Sequence, residues 1–329
     1  MSLSTITKIP RFKTSAAKRL TAAEFFAGIG LVRLALERRD WRVIWANDID
    51  PDKAEMYHAN FGEDDLVIGD VHKIPADEIP DCTLYTASFP CNDLSIAGAM
   101  NGLDGKESSA FWGLIQILRD KGENKPTLVL LENVVGFLMS KGGEDFQTAL
   151  SALCDLGYAV DAFIINASKF TPQSRARLFV IAKQERGEDR VCIAEESDIR
   201  PTALVQFINL HPNIRWDIRR LPKLPHRQHT VLDIIEDLPD DDPHWWSKDR
   251  ADYFMKQLSP RHEVLAKIMI GQKCISYATA FRRVRNGRSM AELRTDGVAG
   301  CLRTPRGGSG RQILYKAGKG KYQVRLLRI

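Results

Sequence analysis

Short apolar runs alternate with longer segments of helical periodicity along the first half of the chain. The apolar runs predict strands at residues 22–26, 43–46, 66–68, 82–87, 128–131, 160–165 and 178–182. The segments between them predict helices at residues 31–38, 51–60, 108–119 and 145–156. In the third helix, one face repeats at helical spacing through Phe111, Leu114, Ile115 and Leu118. This alternation predicts an α/β fold with a parallel, doubly wound sheet.

Prolines and polar stretches dominate the chain after about residue 185, and clean periodicities become rare. One helix is predicted there, at residues 260–271. We therefore expect three parts, which are an N-terminal extension at residues 1–20, an α/β domain at residues 21–185 and a smaller, irregular domain at residues 186–329.

The composition is that of a globular protein with a mildly basic balance. Its 329 residues are 44% hydrophobic and carry a net charge of +5. No apolar run approaches the ~20 residues of a membrane helix, and the N-terminus has no apolar signal-peptide core. The six cysteines are scattered without a CxxC pair. Their spacing argues against a metal site and against a disulfide framework, and it favours a reducing cytoplasm.

Basic residues concentrate near the end of the chain. Residues 282–329 contain thirteen Lys and Arg residues against two acidic ones. This block predicts contacts with nucleic-acid phosphates, with Arg303, Arg306 and Arg311 as candidates beside a Gly-rich stretch at residues 307–310. The alternative is the ordinary solvated surface of a basic protein.

Two glycines, Gly28 and Gly30, follow the first predicted strand and open a helix. A turn of this kind lets backbone and ligand approach closely. The next two strands end beside Asp48 and Asp70, so two carboxylates are expected at the same sheet edge. The pattern predicts a nucleotide-like cofactor. NAD is the main competitor, although Arg33 stands where the dinucleotide fingerprint has its third glycine.

A cysteine at a strand exit carries the strongest signal for chemistry. Cys91 follows the strand at residues 82–87, in a position where open α/β sheets place reactive groups. Four motifs then stand in order along the chain: FFAGIG at 25–30, SFPCNDLS at 88–95, ENV at 132–134 and QSRAR at 173–177. Together they resemble the DNA cytosine-5 methyltransferases, which use S-adenosylmethionine (SAM).

The resemblance implies a Rossmann-like SAM-methyltransferase sheet that ends in an antiparallel strand, followed by a target-recognition domain. It implies that Cys91 adds to C6 of a cytosine flipped out of double-stranded DNA. Glu132 would serve the ring N3 and Arg175 its O2, with Arg177 in support. Asn133 would brace the neighbouring loop. A buried core cysteine and a plain Glu132–Arg175 ion pair are the structural alternatives.

The resemblance also assigns binding residues. For SAM it implies Phe26, Gly28, Gly30, Asp48, Ile49, Asp70 and Pro90. Ser95 and the segment at residues 98–105 resemble the loop that closes over DNA in this family. The implied setting is cytoplasmic and nucleoid-associated, of the prokaryotic restriction-modification type, with no membrane and no metal.

Three departures from the family pattern leave alternatives open. Leu31 stands where many members have Gly, and Asn92 stands where the motif has Gln; we expect both changes to be tolerated. The chain also ends about where a Pro-Arg-Glu motif is expected to begin. A shortened chain, a split enzyme completed by a second chain, and a non-catalytic DNA-binding or partner-binding relic all fit this observation. An RNA methyltransferase of the same fold is a further option.

Overall fold

The computed structural model describes residues 20–90, 109–184, 194–285, 287–302 and 311–327. The chain divides into two compact units. The first comprises Met1–Phe163 with Leu178–Ile218, and the second comprises Ile164–Arg177 with Arg219–Ile329. Among the described residues, no helix has the length and apolar content needed to cross a membrane.

A seven-stranded sheet forms the centre of the fold among the described residues. Its strands are β1 Thr21–Phe25, β2 Arg42–Asp48, β3 Leu66–Ile68, β4 Leu84–Ala87, β5 Leu128–Val134, β6 Tyr158–Asn166 and β7 Ala176–Gln184. Their order is β3-β2-β1-β4-β5-β7-β6, and β1 pairs in parallel with both β2 and β4. The chain order therefore reverses at β1, and a doubly wound sheet binds its ligands at such a reversal.

Four helices lie between strands of this sheet as the periodicity predicts, and a fifth helix follows β7. They are α1 Leu31–Glu37, α2 Pro51–Phe61, α3 Ala110–Asp120, α4 Glu144–Asp155 and α5 Thr202–Leu210. On α3, the predicted apolar face is buried, since Phe111, Leu114, Ile115 and Leu118 are each at most 1% exposed. The seven predicted strands are all present, with ends shifted by at most three residues. Helix α5 was not predicted.

The segment after β7 belongs to the first unit, which differs from the boundary expected after residue 185. A buried ion pair explains this, because Arg200 Nη2 donates to both carboxylate oxygens of Asp161 on β6 at 2.8 Å. Phe207 on α5 also packs on Phe146 of α4, with ring centroids 4.9 Å apart. Contacts between residues distant in sequence thus extend the first unit to Ile218.

Replacing Asp161 with alanine is expected to lower the free energy of unfolding by about 3–5 kcal/mol, because it removes the carboxylate that forms two hydrogen bonds with the buried Arg200 guanidinium. Urea denaturation at neutral pH measures the loss. Glu55→Ala, at an exposed position of α2, is the control and should stay within about 0.5 kcal/mol of wild type. A loss for Asp161→Ala as small as the control's would show that the pair does not hold this segment.

The second unit contains a four-stranded antiparallel sheet rather than the expected irregular structure. Its strands are β8 Ser276–Arg285, β9 Arg288–Arg294, β10 Ile313–Gly318 and β11 Lys321–Leu326, in the order β11-β10-β8-β9. Helices α6 Lys248–Lys256 and α7 Pro260–Gly271 also belong to this unit, and α7 confirms the predicted helix. Phe254, Ala266, Ala280 and Tyr315 are fully buried in the core that these elements share.

Candidate active site

The predicted site residues follow strands that end at one edge of the sheet. The parallel register pairs Phe25 of β1 with Asn47 of β2 and with Ala87 of β4, and it pairs Ala87 with Leu131 of β5. The residues directly after these partners are therefore neighbours at the carboxyl edge. Among the described residues, no group of three or more His, Cys, Asp or Glu side chains could hold a metal ion.

The glycine loop after β1 is tightly turned. Gly28 and Gly30 both have left-handed backbone angles, with φ of 57° and 81°. At Gly30 a Cβ atom would lie 2.3 Å from the Phe61 ring of α2, so no other residue fits without a shift. Phe26 also has a positive φ, 56°, which is uncommon for a residue with a side chain. The loop thus combines conformational strain with a close helix approach, as functional loops often do.

Asp48 ties this loop to the end of β2. Its carboxylate accepts hydrogen bonds from the backbone N–H of Gly28 at 2.7 Å and of Asp50 at 2.9 Å. The residue is only 4% exposed, and Lys53 Nζ lies 3.6 Å from Oδ1. In this arrangement the carboxylate fixes the shape of the glycine loop. Its assignment to SAM binding remains a prediction.

Asp70 and Ile49 stand at the ends of the two adjacent strands β3 and β2. The Asn47 side-chain amide donates to the carbonyls of Val67 and Gly69, at 3.0 and 2.9 Å, and so joins these strand ends. Asp70 is half-buried and accepts from the backbone N–H of a residue two positions later. Ile49 is 66% exposed. An exposed apolar side chain near a carboxylate is the kind of surface that orients a flat, polar-edged ligand.

The loop that leads to Cys91 is fixed from β5. Asn133 is 4% exposed, and its amide donates to the carbonyl of Phe89 at 3.3 Å. The Phe89 ring is buried against Phe111 and Phe137, with centroid distances of 5.3 and 5.7 Å. The predicted bracing role of Asn133 agrees with these contacts. Pro90 is half-buried, while Cys91 and Ser95 lie outside the described residues.

Glu132 is half-buried and precedes Asn133 on β5 in the first unit. Arg175 and Arg177 belong to the second unit, so their shared role with Glu132 remains a prediction.

The exposed Arg175 is held at both ends. Its backbone N–H donates to Asn166 Oδ1 at 2.9 Å, and its Nη1 donates to Cys301 Sγ at 3.2 Å. Arg177 is half-buried and donates to the carbonyl of Ala176 at 2.8 Å. The sequence reasoning missed both Asn166 and Cys301, because neither stands in a motif and one lies far along the chain. Of the predicted DNA contacts, Arg311 is exposed, whereas Arg303 and Arg306 lie outside the described residues.

Glu24 is a buried acid on β1 that the sequence reasoning also missed. It is 2% exposed, and its Oε2 accepts from the backbone N–H of Arg33 at 3.2 Å. Burial raises the pKa of Glu24 from 4.5 to about 8, against the opposing effects of that hydrogen bond and the Arg33 charge. The available signal was a single charged residue within a strand whose other residues are uncharged.

Glu24 is expected to make the protein less stable as the pH rises. Between about pH 4.5 and 8, the folded state keeps a proton that the unfolded state has released, so the free energy of unfolding falls by up to about 1.4 kcal/mol per pH unit. Glu24→Gln removes this titration. Its stability relative to wild type should therefore increase through that window and then level off, as measured by urea denaturation across the pH range.

Glu55→Gln, at an exposed position of α2, is the matched control and should track the wild type at every pH. A constant difference between Glu24→Gln and wild type from pH 5 to 8 would contradict a buried, protonated Glu24.

Comparison with known proteins identifies the family to which this arrangement belongs. The family model for the C-5 cytosine-specific DNA methylase matches residues 20–299. The chain belongs to this family. The predicted family resemblance is confirmed. SAM is the methyl donor that C-5 cytosine-specific DNA methylases use.

Curated relatives are type II methyltransferases. M.DsaV of Dactylococcopsis salina is 34% identical over 57% of this chain and 52% of its own length. M.BanI of Aneurinibacillus aneurinilyticus is 28% identical over 79% of this chain and 56% of its own length. M.HhaI of Haemophilus parahaemolyticus is 33% identical over half of each protein. The chain therefore spans about half the length of the curated relatives it matches.

A solved structure supports the fold alone. The crystal structure of a DNMT2 mutant from Spodoptera frugiperda is similar with a TM-score of 0.51 and 20% identity, over 88% of this chain and 72% of that one. Together with the observed strand order, this confirms the predicted α/β, Rossmann-like fold class of the C-5 cytosine-specific DNA methylases.

Proposed function

We propose that this C-5 cytosine-specific DNA methylase transfers a methyl group from SAM to C5 of cytosine in a specific sequence of double-stranded DNA. One observation carries the proposal beyond family membership. The carbonyl of Phe89, two residues before Cys91, is held by the buried amide of Asn133, the neighbour of Glu132. This bond supports a reactive thiol and an acid acting from adjacent strand ends.

The chain's own residues would activate the cytosine. C5 is a poor nucleophile until a thiolate adds to C6, which makes the ring an enamine. In this proposal Cys91 forms that bond after the base flips out of the duplex. Glu132 gives a proton or hydrogen bond to N3, where negative charge develops. Arg175 binds O2, and Arg177 supports it.

SAM would bind at the edge formed by β1, β2 and β3, and it supplies an electrophilic methyl group for C5. Gly28 leaves room there, because the nearest atom to the place of its missing Cβ is Lys53 Cδ at 4.0 Å, whereas the space beside Gly30 is filled by the Phe61 ring. Asp70 and the exposed Ile49 suit the adenosine part, and Asp48 keeps the loop in place. Phe26 and Pro90 complete the proposed pocket. After methyl transfer, C5 gives its proton to solvent, and the electron pair of that C–H bond forms the C5–C6 double bond and expels the Cys91 thiolate, which restores the aromatic ring.

The second unit is proposed to contact DNA and select the sequence. Its basic residues motivate this assignment, with Arg303, Arg306 and Arg311 as candidates and Ser95 on the side of the catalytic loop. The comparisons find methyltransferases and do not favour a non-catalytic relic or a second chain.

Methyl transfer from radiolabelled SAM tests the proposed function. Plasmid DNA should take up label, and bisulfite sequencing should place it at cytosines within one sequence. DNA with every cytosine already methylated is the control and should take up none. Incorporation into transfer RNA instead of DNA would favour the RNA alternative, and label on neither substrate would contradict the proposal.

A further inference from the structure

Two neighbouring tryptophans of the second unit each carry two cations over their rings. Lys316 and Arg325 lie over Trp245, with charge-to-centroid distances of 5.3 and 5.4 Å. Arg250 and Arg282 lie over Trp246, at 4.3 and 5.7 Å. Cation–π contacts of this length stabilise a cation modestly, but they do not neutralise its charge. The role of each tryptophan cluster therefore depends on whether its two cations have acidic or hydrogen-bonding partners within the fold.

The cations at Trp245 have partners within the fold. Lys316 Nζ lies 2.6 Å from the carboxylate of Asp240. Arg325 is 2% exposed and donates to the backbone carbonyl of Glu236 at 3.1 Å. The buried Nε of Arg325 has no hydrogen-bond partner among the described residues, but Asp240 supplies this cluster with a negative charge from within the unit.

The cations at Trp246 lack such compensation. Within the described part of the chain, neither Arg250 nor Arg282 forms an ion pair, and the buried Nε of Arg282 has no hydrogen-bond partner. Burial, followed by the nearby charge of Arg250, lowers the pKa of Arg282. Two like charges close together disfavour one another unless an anion joins them.

Arg250 is also poorly placed for helix stability. It lies in the first turn of α6, where the positive end of the helix dipole repels a cation. Trp246 is fixed by its backbone N–H, which donates to the carbonyl of Val324 at 2.8 Å, and by the Phe254 ring at 6.1 Å. Trp246 is therefore anchored within the unit, while the two guanidinium groups at its ring have no ion-pair partner among the described residues.

We propose that Arg250 and Arg282, held over Trp246, bind a phosphodiester group of the DNA backbone. A phosphate offers the negative charge and the several acceptor oxygens that two guanidinium groups require. Tyr253, one turn after Arg250 on α6, is 60% exposed and offers a further hydroxyl donor. The inference rests on the proposed function, since it assigns to α6 and β8 a contact with the DNA substrate.

Salt dependence of DNA binding tests the site. Fluorescence anisotropy with a labelled duplex at several NaCl concentrations gives the slope of log K against log salt concentration. Arg250→Gln and Arg282→Gln should each lower its magnitude by about 0.9, and the double variant by about twice that. Lys267→Gln is the charge-matched control and should leave the slope unchanged, because Lys267 is paired with Glu263 on α7 at 2.6 Å.

The lysine variants Arg250→Lys and Arg282→Lys keep the charge and should keep most of the slope, which separates charge from folding effects. Slopes equal to wild type in the glutamine variants, or an equal drop in the control, would overturn the inference. Titration with inorganic phosphate is a second arm of the experiment. If the glutamine variants weakened phosphate binding but left DNA binding unchanged, the assignment to DNA would be overturned. If the wild type methylates DNA while these slopes stay unchanged, only this inference fails. If the wild-type protein neither bound nor methylated DNA, both this inference and the proposed function would be contradicted.

Discussion

Replacing Cys91 with serine is expected to reduce methyl transfer by roughly 10³-fold or more, because a hydroxyl does not replace the thiolate that adds to C6. The fold should persist, since the change removes little volume. Single-turnover transfer from labelled SAM measures the chemical step directly.

Cys274→Ser is the matched control. Cys274 is an exposed free cysteine of the second unit, and its loss should leave the rate within about twofold of wild type. Duplex DNA carrying 5-fluorocytosine gives an independent readout, because fluorine blocks the final loss of the C5 proton. Wild type and Cys274→Ser should form a stable covalent adduct and Cys91→Ser should not. Normal turnover by Cys91→Ser would end the covalent mechanism proposed here.

Replacing Glu132 with glutamine is expected to slow the chemical step by about 10²–10⁴-fold, because general acid assistance at N3 is lost while the side-chain shape is kept. Binding of SAM and of DNA should change little. Rapid-quench single-turnover kinetics separates the chemical rate from affinity.

Glu144→Gln, at an exposed position of the first turn of α4, serves as the comparison and should behave as wild type. A fall in SAM affinity with an unchanged chemical rate would instead place Glu132 in the cofactor pocket.

The local pattern of apolar and polar residues was sufficient to predict the strands of the central sheet and the helices between them. The face of α3 through Phe111 and Leu118 is buried as its spacing predicts, because an amphipathic helix against a sheet has one apolar side. The second sheet was harder to predict. Its strand β8 places small buried residues, Ala278 and Ala280, next to Arg282 and Arg283, so neither a strand alternation nor a helix period stands out.

The remaining differences come from contacts between distant residues. The first unit extends to Ile218 because Asp161 pairs with Arg200, and no local pattern records a bond across that separation. The tie between Asp48 and the glycine loop is of the same kind. The order of the motifs could predict which residues stand at the sheet edge. It could not predict which of their side-chain atoms already form hydrogen bonds within the fold.

The loop with the arginine motif has a consequence for chimeric enzymes. Ser174 N–H donates to Ala299 O, and Ala299 N–H donates to Pro172 O, both at 2.8 Å. A graft that exchanges everything after Ile218 would therefore bring a foreign residue to this loop. Because these bonds join backbone atoms, they depend little on the side chain of the replacing residue. They depend strongly on the position of its backbone. If the second unit selects the DNA target as proposed, target preference can change in such a graft while the sequence of the arginine loop stays the same.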